Sequence, residues 1–494
     1  MTRKGCVAGL LPLALLAGCA VGPDFQSPAA PVAERYSAQP LPDRTVATEI
    51  AGGEAQAFLA SRDLPAQWWT LFGSEKLNAL VQQALVASPT VASAQAALCV
   101  AQENLRAQKS TLFPSFDARG SATRQKIDTA SFGNPGGGAV IYNLYNASVG
   151  VTYGIDLFGG TRRGVEAQAA VAEYKRYQLE ATYQTLIANV ITSAVREARQ
   201  RALIAGQEAI VADQEKLLKV TQRQFDSGAI GRTDLLSAQS NIATERARLP
   251  PLRLELTQAQ NQLAVYLGKL PSEQSATDFD LTELKLPQEI PLSLPSSLVR
   301  QRPDVRAAEA QLHQASANIG VATANLLPQI GLSASFGTQS SVVDKLFSGN
   351  IFSIGGTITQ PLFHFGELTA RRRAAIAEFD RAAADYRQTV LTAFQNVADT
   401  LRALETDAET LEAQFAAANA AAGSLKLAEL QYQLGGTSYL TLLNAQQTYT
   451  QARTAYLQAL ASRYQDTAAL FQALGGGWTR RGASADSPTA AGAS

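Results

Sequence analysis

Gln431-Tyr432-Gln433-Leu434-Gly435-Gly436-Thr437-Ser438-Tyr439-Leu440-Thr441-Leu442-Leu443-Asn444-Ala445-Gln446 interrupts a long helical pattern and begins another. Upstream of it Val390, Phe394, Val397, Leu401, Leu404, Ala408, Leu411, Phe415, Ala418, Ala422 and Leu425 recur at alternating steps of four and three, the seam of one very long coiled-coil helix. The paired glycines stop that helix, and Thr437 or Ser438 is placed to cap a second one that returns antiparallel. The stretch is the tip of a helical hairpin. A matching tip lies 207 residues earlier, where Gln224-Phe225-Asp226-Ser227-Gly228-Ala229-Ile230-Gly231-Arg232-Thr233-Asp234-Leu235-Leu236-Ser237-Ala238-Gln239 pairs Phe225 with Tyr432, Gly228 with Gly435, Leu235 with Leu442 and Gln239 with Gln446. The chain is an internal duplication.

Working outward, each hairpin is preceded by a change of period from helix to strand. After Leu112-Phe113-Pro114, Phe116, Ala118, Gly120 and Ala122 alternate with polar neighbours. Past a Gly-rich loop, Ala147, Val149, Val151, Tyr153 and Ile155 do so again. In the second half the pattern returns as Ile330, Leu332, Ala334 and Phe336, then Phe352, Ile354, Gly356 and Ile358. These predict four strands of about ten residues, the length of a tilted transmembrane β-strand. One face is apolar for lipid and the other is Gly, Ser and Thr for a lumen, with Tyr142, Tyr145, Tyr153, Phe158, Phe336, Phe347 and Phe352 as interfacial girdle candidates. Four strands cannot close a barrel, and an open edge in lipid leaves backbone groups unpaired at several kcal/mol each. The chain must therefore oligomerise.

The long helix from about Thr161 to Asp226 reaches roughly 100 Å at about 1.5 Å per residue. Two shorter helices, about Ser74 to Leu112 and Thr233 to Leu267, together match it in length, so two half-length helices stack beside one full-length helix, twice per chain. Pro250-Pro251 is expected to kink the second of these. This gives a signal peptide over 1–18, an N-terminal tether over 19–73, a first repeat over 74–267, a non-helical equatorial linker over 268–295, a second repeat over 296–474 and a tail over 475–494.

The 42 basic and 42 acidic residues cancel, with no basic stripe that would follow a phosphate backbone, which argues against nucleic acid as a partner. The only histidines, His313 and His364, are read as core or surface residues and not as metal ligands. No Gly-x-Ser-x-Gly, His-Glu-x-x-His, Cys-x-x-Cys or Walker loop is present, so the chain reads as a non-enzyme with no catalytic residue, no metal and no dissociable cofactor. The N-terminus carries an address instead. Arg3 and Lys4 precede a short apolar run from Val7 to Leu16, and Leu16-Ala17-Gly18-Cys19 is similar to a bacterial lipobox. Cys19 is thereby expected to carry N-acyl and S-diacylglycerol lipid, each buried methylene contributing about 0.8 kcal/mol to anchoring. Ala20 in place of aspartate leans toward the outer membrane.

The lipobox, the repeated order of strand pair and hairpin, the Asp156-Leu157-Phe158-Gly159 strand-to-helix junction and the tips ending in Leu-Leu-x-Ala-Gln together resemble the TolC-like outer membrane factors of the OprM/NodT lipoprotein branch. The resemblance runs from Cys19 to about Gly477 and rests on order and spacing. It implies a mainly α fold with a transmembrane β part, assembled as a homotrimer with a 12-stranded β-barrel on a 12-helix periplasmic α-barrel. It further implies an outer-membrane lipoprotein of a Gram-negative bacterium that serves a tripartite efflux system as a passive conduit. Its partners would be a periplasmic adaptor and an inner-membrane pump of the RND or another type. The second hairpin would close the periplasmic end like an iris, with Leu440, Thr441 and Asn444 at the matching gate positions. Asn444 stands where the family carries an acidic residue, so closure is expected to lean on Leu440 packing and amide hydrogen bonds, and block by multivalent cations is expected to be weak. The adaptor would dock on Gly228, Gly231, Thr233, Asp234, Gly435, Gly436, Thr437 and Ser438. Asp234 equally suits an ordinary place beside a helix dipole. The alternative from another class is a periplasmic adaptor or scaffold lipoprotein whose hairpins bind partners without forming a pore.

Overall fold

The computed structural model describes residues 20–478 apart from 34, 61, 129–137 and 274–278. The signal peptide and Cys19 lie outside the described residues, as do part of the Gly-rich loop and the tail from 479 onward. Two compact units are present: residues up to Pro28 with Ala97–Arg176 and Ala307–Arg387, and Ala29–Ala96 with Tyr177–Arg306 and Gln388 onward. Each unit draws on both repeats.

In chain order, a short strand β1 (Ala57–Ala60) and a 3-10 turn at Trp68–Phe72 precede helices α1 (Glu75–Ala87) and α2 (Pro89–Ser110). Ser74 caps α1 by accepting from the Leu77 N–H, and the two helices meet at Ser88-Pro89 with a 43° bend, where the proline forbids a continuous helix. Strands β2 (Ser115–Asp128) and β3 (Ala139–Ile155) lead into α3 (Gly160–Asp226). After the first tip come α4 (Arg232–Ala247), α5 (Leu249–Tyr266), a strand β4 (Glu289–Leu292) and helices α6 (Pro295–Gln301) and α7 (Pro303–Ala324). Strands β5 (Gln329–Ser340) and β6 (Asn350–Thr359) lead into α8 (Glu367–Gln433), and α9 (Tyr439–Ala473) closes the second hairpin. The two long helices have 67 residues each and start 207 residues apart, as the duplication requires. The expected break at Pro250-Pro251 falls at Arg248, with proline in the first turn of α5, where a missing N–H costs nothing.

The structure corrects the sequence reading in three places. The first-repeat strands run to 14 and 17 residues, longer than the ten expected. Part of the stretch read as a tether is packed: Trp68, Trp69 and Phe72 are almost wholly buried, and Trp68 Nε1 donates to Gln184 Oε1 at 3.1 Å. The linker read as non-helical carries two 3-10 turns, and its β4 pairs parallel with β1, Phe58 opposite Ile290.

In the first unit, residues after Ala20 are clamped by Arg163, whose guanidinium donates to Asp24 at 2.6 Å, to Glu166 at 2.7 Å and to the Val21 carbonyl at 3.3 Å. Phe25 stacks on His313 at 4.4 Å, and His313 Nε2 lies 2.9 Å from Glu166, so this histidine is a packed structural residue. His364 is half exposed, 3.7 Å from Glu367.

In the second unit the α8 seam is buried at Val390, Val397, Leu401, Leu404, Ala408, Leu411 and Ala418. Near the tip the stripe then steps to Ala421, Ala428 and Tyr432, with Ala421 turned in where Ala422 was expected.

Candidate functional site

The first unit carries a four-stranded antiparallel sheet in the order β2-β3-β5-β6. Directly opposed residues share a face in such a sheet. Phe116, Val151, Ala334 and Ile354 form one row across it, and Ala118, Val149, Phe336 and Phe352 form the next. Ile330 joins Ile155 and Ile358 in a further row. Phe116, Phe352, Ile354 and Ile358 are each more than 70% exposed, so this continuous apolar face has no cover among the described residues. The opposite face reads Asp117, Gly150, Ser335 and Ser353 in one row and Ser115, Thr152, Ser333 and Gly355 in another. Its hydroxyls bond across strands, Ser115 to Thr152 at 2.7 Å and Ser335 to Ser353 at 2.9 Å. The outer edges of β2 and β6 have no strand partner among the described residues.

Of the girdle candidates, Tyr145, Tyr153, Phe336 and Phe352 fall on the apolar face, while Tyr142 falls on the other and bonds Gln125. Phe158 and Phe347 lie outside the strands. Three exposed aromatics just beyond the strand ends, Phe113, Phe363 and Phe365, were not singled out in the sequence because they sit outside any alternating run.

The tips belong to the second unit. Each long helix ends in the same double turn. At the second tip the Gly436 N–H donates to the Gln431 carbonyl at 2.7 Å and the Gly435 N–H to Tyr432 at 3.1 Å. At the first, Ala229 donates to Gln224 at 2.8 Å and Gly228 to Phe225 at 2.9 Å. Gly228 and Gly435 take φ of +73° and +76°, the left-handed conformation this helix ending requires, whereas Gly231 and Gly436 do not. Ser438 is the cap of α9, accepting from the Thr441 N–H; Thr437 stands outside the helix. Gly231 holds the equivalent place before α4 with no side-chain bond, and Thr233 and Asp234 lie in the first turn of α4, Asp234 beside the positive end of the dipole. Leu440, Thr441 and Asn444 come together on one exposed face of the first turns of α9, and Leu440 is 64% exposed.

Behind that face the two hairpins are locked together. Leu217 and Ala238 of the first pack with Ala428, Tyr432, Tyr439 and Leu442 of the second in one buried cluster. Tyr432 and Tyr439 meet edge to face at 5.8 Å, Thr221 bonds the Tyr432 hydroxyl at 3.2 Å, and Gln214 Nε2 donates to Gln446 Oε1 at 3.0 Å. Burial raises the Tyr439 phenol above its ordinary range. A cleft of about 200 Å³ beside the cluster is lined by Asp213, Lys216, Glu429 and Gln433, and burial together with Asp213 raises the Glu429 carboxyl. The sequence reading missed this polar lock. Its signal was the glutamine pair Gln239/Gln446 in the repeat and the tyrosine on each side of the second turn.

Known proteins share this fold. The family of outer membrane efflux proteins matches at residues 80–269 and 294–476. The probable efflux pump outer membrane protein TtgC of Pseudomonas putida is 31% identical over 469 residues, covering 94% of each chain. Outer membrane protein OprJ of Pseudomonas aeruginosa is 29% identical, covering 96% of each. The solved outer-membrane channel OprN matches with a TM-score of 0.82 at 28% identity, over 93% of this chain and 100% of that one. The open state of the Neisseria gonorrhoeae MtrE outer membrane channel matches with a TM-score of 0.78 at 27% identity, over 93% and 99%. The chain belongs to the outer membrane efflux protein family.

Proposed function

We propose that this outer-membrane efflux channel is completed as a homotrimer and serves a tripartite export system as its passive outer conduit, with a periplasmic adaptor and an inner-membrane pump as partners. The observation that carries the reading is the sheet with one lipid-ready face and two open edges. Backbone groups at those edges would each cost several kcal/mol in hydrocarbon, and three copies pairing β6 to β2 satisfy them all. The polar face, Ser, Thr and Gly with Asp117 and Arg119 of β2, then lines the lumen. The energy for transport comes from the pump.

The hairpin tips are the docking and gating ends. Gly228, Gly231, Thr233, Asp234, Gly435, Gly436, Thr437 and Ser438 present the two turns to the adaptor, and Leu440, Thr441 and Asn444 form the constriction. Lipid on Cys19 anchors the start of the chain. The alternative of an adaptor or scaffold without a pore is not favoured, because both repeats match the outer membrane efflux protein family. The curated relatives include a toluene efflux pump component and a pyoverdine exporter, both from Pseudomonas putida, so small apolar or siderophore-like molecules are the cargo class to try first.

The test is reconstitution. Outer-membrane extracts should give oligomers that dissociate on heating, and the purified protein should conduct in a planar bilayer. Divalent or trivalent cations added at the periplasmic end should block only weakly, and introducing Asn444→Asp should strengthen the block. A carbonate-soluble monomer without conductance would overturn the reading.

A further inference from the structure

The apolar face of the four-stranded sheet does not end alike at its two rims. The helices join the strands at Ser115 and Ile155, so that rim is the periplasmic one, and the rim at Asp128 and Ala139 points outward. At the periplasmic rim the face closes on the aromatic rings of Phe116 and Tyr153. At the outer rim it turns polar along a slanting line that runs from Asn350 and Thr338 through Ser340 and Asn143 to Arg124 and Lys126. Asn143 stands directly opposite Arg124, and Ile141 opposite Lys126. Both cations are exposed, and neither enters an ion pair among the described residues. The carboxylate on this face, Asp128, lies two residues farther out, opposite Ala139.

Height decides what these cations meet. Arg124 and Lys126 lie eight and ten residues beyond Phe116 on β2. At about 3.3 Å per residue and a strand tilt of roughly 40°, they stand about 20 and 25 Å above it, the height of the apolar band of an outer-membrane barrel. A lipid-facing cation is strongly unfavourable at the middle of that band and nearly neutral at its rim, where headgroups begin. Side chains two apart on one strand are spaced by roughly 6.6 Å, close enough to hold one phosphate between them. The guanidinium matches the phosphate oxygens with paired N–H donors, the ammonium adds a point charge, and the Asn143 amide adds a neutral donor. We propose that Arg124 and Lys126, with Asn143, form a site for the phosphate of an outer-leaflet glycolipid, the phosphorylated diglucosamine of lipid A. Charge and height select that lipid together, because phospholipid phosphates of the inner leaflet lie at the Phe116 rim. The site rests on the reading that the apolar face meets lipid. It sets the depth of the barrel and holds one glycolipid beside β2 of each chain.

Full-length protein purified in detergent as its oligomer, titrated with lipid A bearing both phosphates and with the same lipid dephosphorylated, tests the site, with bound lipid counted by native mass spectrometry. The phosphorylated form should bind roughly tenfold or more tightly, and raising the salt should erode the preference. Arg124→Gln with Lys126→Gln should weaken binding by roughly 10- to 30-fold while the heat-sensitive oligomer and its conductance persist. Arg124→Lys with Lys126→Arg, which keeps both charges, should retain most of the affinity. Arg119→Gln, on the same strand but the opposite face, should leave lipid binding unchanged. Phosphatidylglycerol and inorganic phosphate should compete poorly. Equal binding of the two forms of lipid A, full affinity in the doubly neutral variant, an equal loss in Arg119→Gln or equal competition by phosphatidylglycerol would each overturn the proposal. An oligomer that conducts without these preferences removes the site and leaves the channel standing, whereas a monomer without conductance removes both.

Discussion

The two hairpins are copies in length and differ in what fills them. α3 and α8 are both 67 residues and end in the same turn, yet the buried stripe on the tip-side half of α3 is half polar. Gln207, Gln214 and Thr221 recur there at heptad steps, interleaved with Val211 and Leu217, and all are buried. The seam of α8 from Val390 to Leu411 is Val, Leu and Ala. Each of these three side chains has a partner: Gln207 with Glu245, Gln214 with Gln446, Thr221 with Tyr432. An apolar seam tolerates sliding by a heptad, whereas a partnered amide does not, because slipping would strand it at a cost of about 1–3 kcal/mol. The duplication thus kept the rods and turns while dividing the work, with the apolar seam holding one hairpin together and the polar seam fixing where the second hairpin rests on the first.

Substitutions probe the difference between the two seams. The largest effect is expected at Tyr432, where both hairpins meet. Tyr432→Ala empties a buried aromatic site and frees Thr221, which should weaken tip packing by about 3–5 kcal/mol, read as faster hydrogen exchange in both tips and as a leaky conductance. Next is the polar seam. Gln214→Leu leaves Gln446 unpartnered in a buried site and should cost about 1–3 kcal/mol, while Gln214→Leu with Gln446→Leu should recover most of it in a double-mutant cycle. Full additivity of the two single changes would mean that the amide pair does not fix the register.

The turns should respond alike in both copies. Gly228→Ala and Gly435→Ala meet no atom within 4 Å, so each pays only for a left-handed backbone, about 1–2 kcal/mol, and the two costs should match. The smallest effects lie at the caps, where the copies differ. Ser438→Ala should cost about 1 kcal/mol and Gly231→Ala roughly half that, because the first tip has no side-chain cap to lose but glycine still serves an N-cap better than alanine.

Much of this was legible in the residues. The offset of 207 placed both tips, and the ends of the long helices follow from Gly228 and Gly435, whose turn chemistry is local. The strands were legible only where the face alternates. β2 runs on past Ala122 through Arg124 and Lys126, which share the parity of the apolar face but break its hydrophobicity, so its true length was hidden. The β1–β4 pair joins two four-residue segments more than 200 positions apart, too short to show a period. The polar lock was invisible for a related reason: a glutamine on a coiled-coil face reads as solvent-facing until its partner on another helix is known. Leu440, Thr441 and Asn444 were named by resemblance alone, and the Tyr432–Tyr439 packing behind them was not legible in the residues.

The central claim is that the sheet is unfinished in one chain and is completed by its copies. The mass of the detergent-solubilised particle, measured by native mass spectrometry with the micelle stripped away, tests it most directly. Three chains per particle, falling to one only on heating, is the expected result; a particle of one chain with Phe352 and Ile354 still reachable by water-borne labels would contradict it.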